Sequence, residues 1–130
     1  CKLWSMNYID INGGNKDQKI FTKQIIEWCI KELLPRVRTL DITVELLNEV
    51  DGGIDGAQWY GDDNRQHFIE INKNLCYDDY VTAVMHEMVH VKQDYRKDKR
   101  PIEEREKEAY EQQEILFERW KNEINRKTNY

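Results

Sequence analysis

The residues with the clearest chemical potential are His86, Glu87 and His90, within the stretch MHEMVHV. At 3.6 residues per turn, histidines four apart stand one turn apart on one helix face. Both imidazoles then reach one cation at the Zn–N distance of about 2.0–2.1 Å. Glu87 lies one position along, at the flank of the pair. From there a carboxylate meets a water on the cation rather than the cation itself. Zinc brings such a water's pKa down towards about 7, where the carboxylate takes its proton. H-E-x-x-H therefore offers two ligands and one general base. A catalytic zinc needs a third protein ligand and keeps one position open for water. His67 lies upstream and could be that ligand. No histidine follows His90 and position 96 is Arg, which excludes the H-E-x-x-H-x-x-G-x-x-H arrangement. Carboxylates follow instead, at Glu103, Glu104, Glu106, Glu108 and Glu111.

Elements that would position these residues are legible from periodicity. Asp17 to Leu34 repeats apolar residues at three and four (Phe21, Ile25, Trp28, Cys29, Leu33), with Asn15 or Asp17 as cap and Pro35 as stop. A short strand is expected within residues 3–11. Residues 40–47 alternate as a half-buried strand. AQWY is a candidate short strand. QHFIEIN reads as another, with His67, Ile69 and Ile71 on one side. Asp78 to Tyr95 forms the motif helix, and its apolar residues surround it, as in a buried helix. Pro101 suits the first turn of a last helix to about Ile124. That helix carries an apolar stripe of Ala109, Leu116, Phe117, Trp120 and Ile124. The expectation is a single α+β domain over residues 1–130, with its core at about 17–124.

HEMVHVKQ, then EREKEAYEQQ some eighteen residues on, resembles the gluzincin zinc metallopeptidases, and more narrowly the small single-domain minigluzincins, including phage-type and bacterial forms. The resemblance covers about residues 17–120 as an order of elements, and two short motifs carry it. It implies a minimal thermolysin-like core: a backing helix, a small twisted and mostly antiparallel sheet, the motif helix and a C-terminal glutamate helix. It implies one zinc ion per chain held by His86, His90 and a glutamate followed by Ala, here Glu108, with Glu87 as the base. Glu104 is the runner-up, and Glu106 lies nearer the apolar stripe, so periodicity alone leaves it open. A polar partner for a motif histidine falls on Gln112, where the family often has Asp. Tyr95, Tyr110, Tyr60 and His67 are candidates for stabilising an oxyanion. An edge strand, QHFIEIN or AQWY, would pair with an extended peptide or protein substrate.

Composition narrows the alternatives. The net charge is −5 and no basic stripe stands out, so no nucleic-acid partner is expected. No apolar run approaches the roughly 20 residues of a membrane helix, and a monomer is expected. Three cysteines without C-x-x-C suit a reducing, cytoplasmic compartment in a bacterium or phage-infected host. The chain opens on Cys rather than Met, so a trimmed leader and secretion stay open. DGGIDG lacks the ligand order of a calcium loop. Two rivals compete with a general peptidase: a non-catalytic or regulatory zinc module, and a protease dedicated to one protein partner such as a repressor. Glu87 favours catalysis, because a structural site needs no base.

Overall fold

The computed structural model describes residues 7–128. The elements are β1 (Tyr8–Asn12), α1 (Lys16–Leu33), β2 (Asp41–Leu47), β3 (Gly56–Tyr60), β4 (Gln66–Asn72), α2 (Tyr77–Tyr95) and α3 (Ile102–Thr128). Every expected element is present. The first strand occupies the second half of residues 3–11; residues 3–6 lie outside the described ones. Asn15, not Asp17, caps α1: its side chain accepts from the Gln18 N–H at 2.8 Å, and the Gln18 side chain accepts from the Asn15 N–H. Gly13 (φ 84°) and Gly14 (φ 70°) turn the chain from β1 into that cap.

The sheet has the order β1-β2-β4-β3. β1 pairs parallel with β2, and β2 pairs parallel with β4; only β3 and β4 are antiparallel. This corrects the mostly antiparallel sheet expected above. Connections explain it. α1 is the crossover that parallel neighbours require, and the β3–β4 hairpin returns β4 in the direction of β2. β3 is therefore left at the edge, paired on one side only.

One face of the sheet is covered by helices. Ile42, Val44 and Leu46 of β2 and His67, Ile69 and Ile71 of β4 are buried on it. α2 lies at the centre of the molecule, touching β3, β4, α1 and α3. That explains its apolar girdle: Val81, Val84, Met85, Met88 and Val91 are fully enclosed. α3 packs along α2 by Ala109, Leu116, Phe117 and Trp120, all buried. An aromatic clasp fixes its C-terminal half. Trp120 meets Trp28 edge-on at 5.5 Å and donates its indole N–H to the Tyr77 hydroxyl at 2.9 Å. Trp28 donates to Glu123 at 2.7 Å.

The end of α2 directs α3. Lys97 N–H donates to Asp94 O and Asp98 N–H to Gln93 O, with Lys97 at φ 56°. This pair of bonds is a Schellman stop. It reverses the chain sharply, so the first turns of α3 lie over the last turns of α2.

Candidate metal centre

α2 carries His86, Glu87 and His90 on the side facing α3. His86 and Glu87 are buried at 9% and 5% exposure, and the two imidazoles stand 4.9 Å apart. α3 brings Glu106 against them. One Glu106 oxygen lies 3.1 Å from His86 Nε2 and in short contact with His90 Nε2. These three atoms all lie within 4.8 Å of one another.

Hydrogen bonding fixes which ring nitrogens carry protons. His86 Nδ1 faces Gln113 Oε1 at 2.8 Å, and His90 Nδ1 faces Gln93 Oε1 at 2.8 Å. The amide nitrogen of Gln93 donates to the Arg105 carbonyl (3.0 Å) and the Glu108 carboxylate (2.8 Å); that of Gln113 donates to the Glu114 carboxylate (3.2 Å). Those partners only accept, so each glutamine must turn its oxygen to the histidine. Each histidine then donates from Nδ1 and, when the ring is neutral, presents a lone pair at Nε2. Two nitrogen lone pairs and a carboxylate oxygen thus converge with no donor among them. Such a set could hold a cation. Imidazole nitrogens with a carboxylate suit zinc, and the 3.1 Å between His86 Nε2 and Glu106 is close to the roughly 3.3 Å between ligands of a tetrahedral site with about 2.0–2.1 Å bonds.

Glu87 is the group that such a site does not consume. Among the described residues no group hydrogen-bonds its carboxylate. Burial, and after it the negative charge of Glu106, pushes its carboxyl up to about 8. The close approach of β3 depends on Gly56: a Cβ there would lie 3.3 Å from Glu87 Cγ and 3.0 Å from the Glu70 carbonyl. Glu106 balances opposing influences. Burial raises its carboxyl, but the adjacent imidazoles of His86 and His90, whenever they carry a proton at Nε2, hold it below its ordinary value.

Two cavities of about 390 Å³ each share Glu87, His90 and Glu106 as walls. Ile54, Asp55, Gly56, Thr82 and Tyr110 bound the first; Gln58, Tyr60, Asp94, Ile102 and Arg105 bound the second. Together they make an open cleft along β3. A larger cavity of about 580 Å³ lies across the molecule between α1 and β1, lined by Lys23, Glu27, Lys31 and Arg38 among others. It contains none of the residues with metal or base chemistry.

The sequence-derived candidates separate clearly. His86, Glu87 and His90 come together as expected. Glu108 does not join them: its carboxylate receives Gln93 and, at 2.9 Å, Arg100. Those bonds hold its carboxyl below the ordinary value against the opposing effect of burial. Glu106 takes the position assigned above to Glu108. Glu104 is exposed and away from the histidines. The histidine partners are Gln93 and Gln113 rather than Gln112, which is half-buried one position along. Tyr110 stands on the cleft, its ring 4.6 Å from His86; Tyr95 packs against the core instead. His67 is fully buried and serves the hairpin, donating from Nε2 to the Asn64 carbonyl and accepting at Nδ1 from Gln58. Burial lowers its pKa. Cys29 is core, and burial pushes its thiol strongly up; Cys76 is exposed at the start of α2, about 15 Å along the helix from His86. No described helix is long and apolar enough to cross a membrane.

Compared with protein-family models, with curated proteins and with solved structures, the chain matches none.

Proposed function

We propose that the chain is a zinc-dependent metalloendopeptidase of gluzincin type, with His86, His90 and Glu106 holding one ion and Glu87 as general base. One observation carries the reading. With both rings neutral, three acceptor atoms converge without a donor, beside a buried carboxylate that no group among the described residues bonds, in a cleft bordered by an edge strand. A structural site would have no use for Glu87. The donor set fits zinc, as argued above.

A bound zinc ion supplies Lewis acidity, making water more acidic and a peptide carbonyl more electrophilic. The chain's residues do the remaining work. β3 receives an extended peptide along its unpaired edge. Glu87 takes a proton from the water as its oxygen adds to the carbonyl carbon. It then delivers that proton to the leaving nitrogen as the C–N bond breaks, giving a carboxylic acid and an amine. Burial suits Glu87 to both transfers by raising its proton affinity, while a nearby cation opposes that rise. Tyr110, on the cleft beside His86, is placed to donate to the carbonyl oxygen as negative charge develops there.

The test measures zinc per chain and cleavage of a mixed peptide library by wild type and Glu87→Gln. The reading expects one zinc in both, and turnover lower by about 10²–10⁴-fold in the variant. Stoichiometric zinc without Glu87-dependent cleavage would overturn it in favour of a non-catalytic zinc module.

A further inference from the structure

Gln93 does more than face a histidine. It is 3% exposed, and its amide makes three hydrogen bonds, two donated and one accepted. Its oxygen accepts from His90 Nδ1 at 2.8 Å. Its nitrogen donates to the carbonyl of Arg105 at 3.0 Å and to Glu108 at 2.8 Å. Arg105 immediately precedes Glu106, so one amide touches both a metal-facing histidine and the backbone that carries the facing carboxylate. The same Glu108 oxygen also accepts from Arg100, which Asp98 grips through its carboxylate. Arg105 Nε donates to the Arg100 carbonyl at 3.0 Å. The amide therefore links α2, the connector and the first turns of α3.

We propose that Gln93 is a positioning residue that sets the tautomer of His90 and the place of Glu106 together, with Glu108 as the carboxylate that fixes its amide. The inference rests on the metal reading above. Glu108 enters it as a group acting at a distance of two hydrogen bonds, not as a ligand. The mechanism is polar and directional. If the amide rotated, its N–H groups would face His90 Nδ1–H and its oxygen would face Glu108 and the Arg105 carbonyl. Every one of those encounters is repulsive, so only one orientation survives. His90 is then confined to the Nδ1–H form, with its ligating lone pair on the Glu106 side. Gln113 acts likewise on His86, but it is half-buried, and its amide nitrogen has only exposed Glu114 as partner.

The experiment exchanges the two partners. Zinc affinity is measured by competition with a chromophoric chelator for wild type, Gln93→Leu, Gln93→Glu, and the double variant Gln93→Glu/Glu108→Gln. Nitrogen NMR of the imidazoles in the metal-free proteins reports the tautomer. Gln93→Leu should weaken zinc by about 10–100-fold and lose the uniform Nδ1–H state of His90. Gln93→Glu keeps the acceptor for His90 but sets two carboxylates face to face, and should also bind weakly. The double variant keeps the acceptor for His90 and lets the amide of residue 108 donate to position 93, while the Arg105 carbonyl stays without its donor; it should recover part of the loss and bind at least about threefold more tightly than Gln93→Glu. Side-chain packing alone would not produce that recovery, and the single Gln93→Glu variant keeps the test alive if Gln93→Leu does not fold. A double variant as weak as Gln93→Glu would overturn the inference. Wild type without zinc affinity would overturn the metal reading itself, a result distinct from wild-type binding that Gln93→Leu leaves unchanged, which overturns the positioning role alone.

Discussion

Glu87→Gln in the metal-free protein offers a sharp test of how the site is built. Glutamine keeps the shape of the side chain and removes its ability to ionise. In the folded chain burial and Glu106 hold the Glu87 carboxyl at about 8, against an ordinary value of 4.5. A carboxyl raised on folding stabilises the fold below its unfolded pKa, and that stability drains away as pH rises towards the folded value. The window is therefore about pH 4.5 to 8. At 1.36 kcal/mol per unit, wild type should lose roughly 2–4 kcal/mol relative to the variant between pH 5 and pH 8. The rest of the chain is the same in both proteins and largely cancels in the comparison. The assay is urea unfolding of chelator-treated wild type and Glu87→Gln at pH 5, 6, 7 and 8. The two should nearly coincide at pH 5 and diverge steadily above it, the variant being the more stable. Zinc should narrow the gap, because a cation beside the carboxylate favours its charged form. Parallel stability curves from pH 5 to 8 would refute the claim that Glu87 is buried without a compensating partner.

Further outcomes follow from the same geometry. Glu106→Gln should lose zinc by well over the roughly 10–100-fold expected of Glu108→Gln, since one removes a ligand and the other an outer support; chelator competition separates them, and equal losses would point back to Glu108. Gly56→Ala should lower turnover about tenfold or more with zinc retained, because a Cβ 3.3 Å from Glu87 Cγ displaces the base and small misplacements are costly; peptide-cleavage kinetics check it. Trp120→Ala removes the centre of the aromatic clasp at 8% exposure and should cost about 3–5 kcal/mol in denaturant unfolding.

Much of the fold was legible because burial writes a period into the chain. α2 was readable as a buried helix from its apolar girdle, and Val81, Val84, Met85, Met88 and Val91 are indeed enclosed. The stripe on α3 was readable for the same reason. Strand direction was not. β2 and β4 each bury one face, and a one-sided strand alternates in the same way whether its neighbour runs parallel or antiparallel. Direction is set by the connections: α1 between β1 and β2, and the hairpin that sends β3 to the edge. The histidine partners were hidden for a related reason. Gln93 lies three residues after His90 and one helical face contains both, but a glutamine in a helix is ordinarily a solvated residue. Only the arrival of Arg105 and Glu108 from α3 makes it a buried, fully bonded group.

The misplaced glutamate has a rotational cause. Where α3 touches α2, its contact face runs through Ala109, Gln113, Leu116, Phe117 and Trp120. At about 100° per residue, Glu106 falls about 35° from the centre of that face, whereas Glu108 lies about 125° away. A glutamate directly before Ala109 therefore cannot point where Ala109 points. Ala109 is fully buried, so the helices meet closely at its position, and a carboxylate aimed at the same partner must sit three residues earlier. Glu106 does so, one turn before Tyr110 and two before Gln113, each of which contacts His86. The Glu-Ala pairing points to Glu108, but the face that packs against α2, rather than the neighbour in sequence, decides which carboxylate reaches the histidines. Glu108, turned to the side, meets the Schellman-stopped end of α2 instead, where Gln93 and Arg100 wait for a negative charge. Under the proposed function, one helix thus divides its acidic residues between an ion ligand and a support for the histidine beside it.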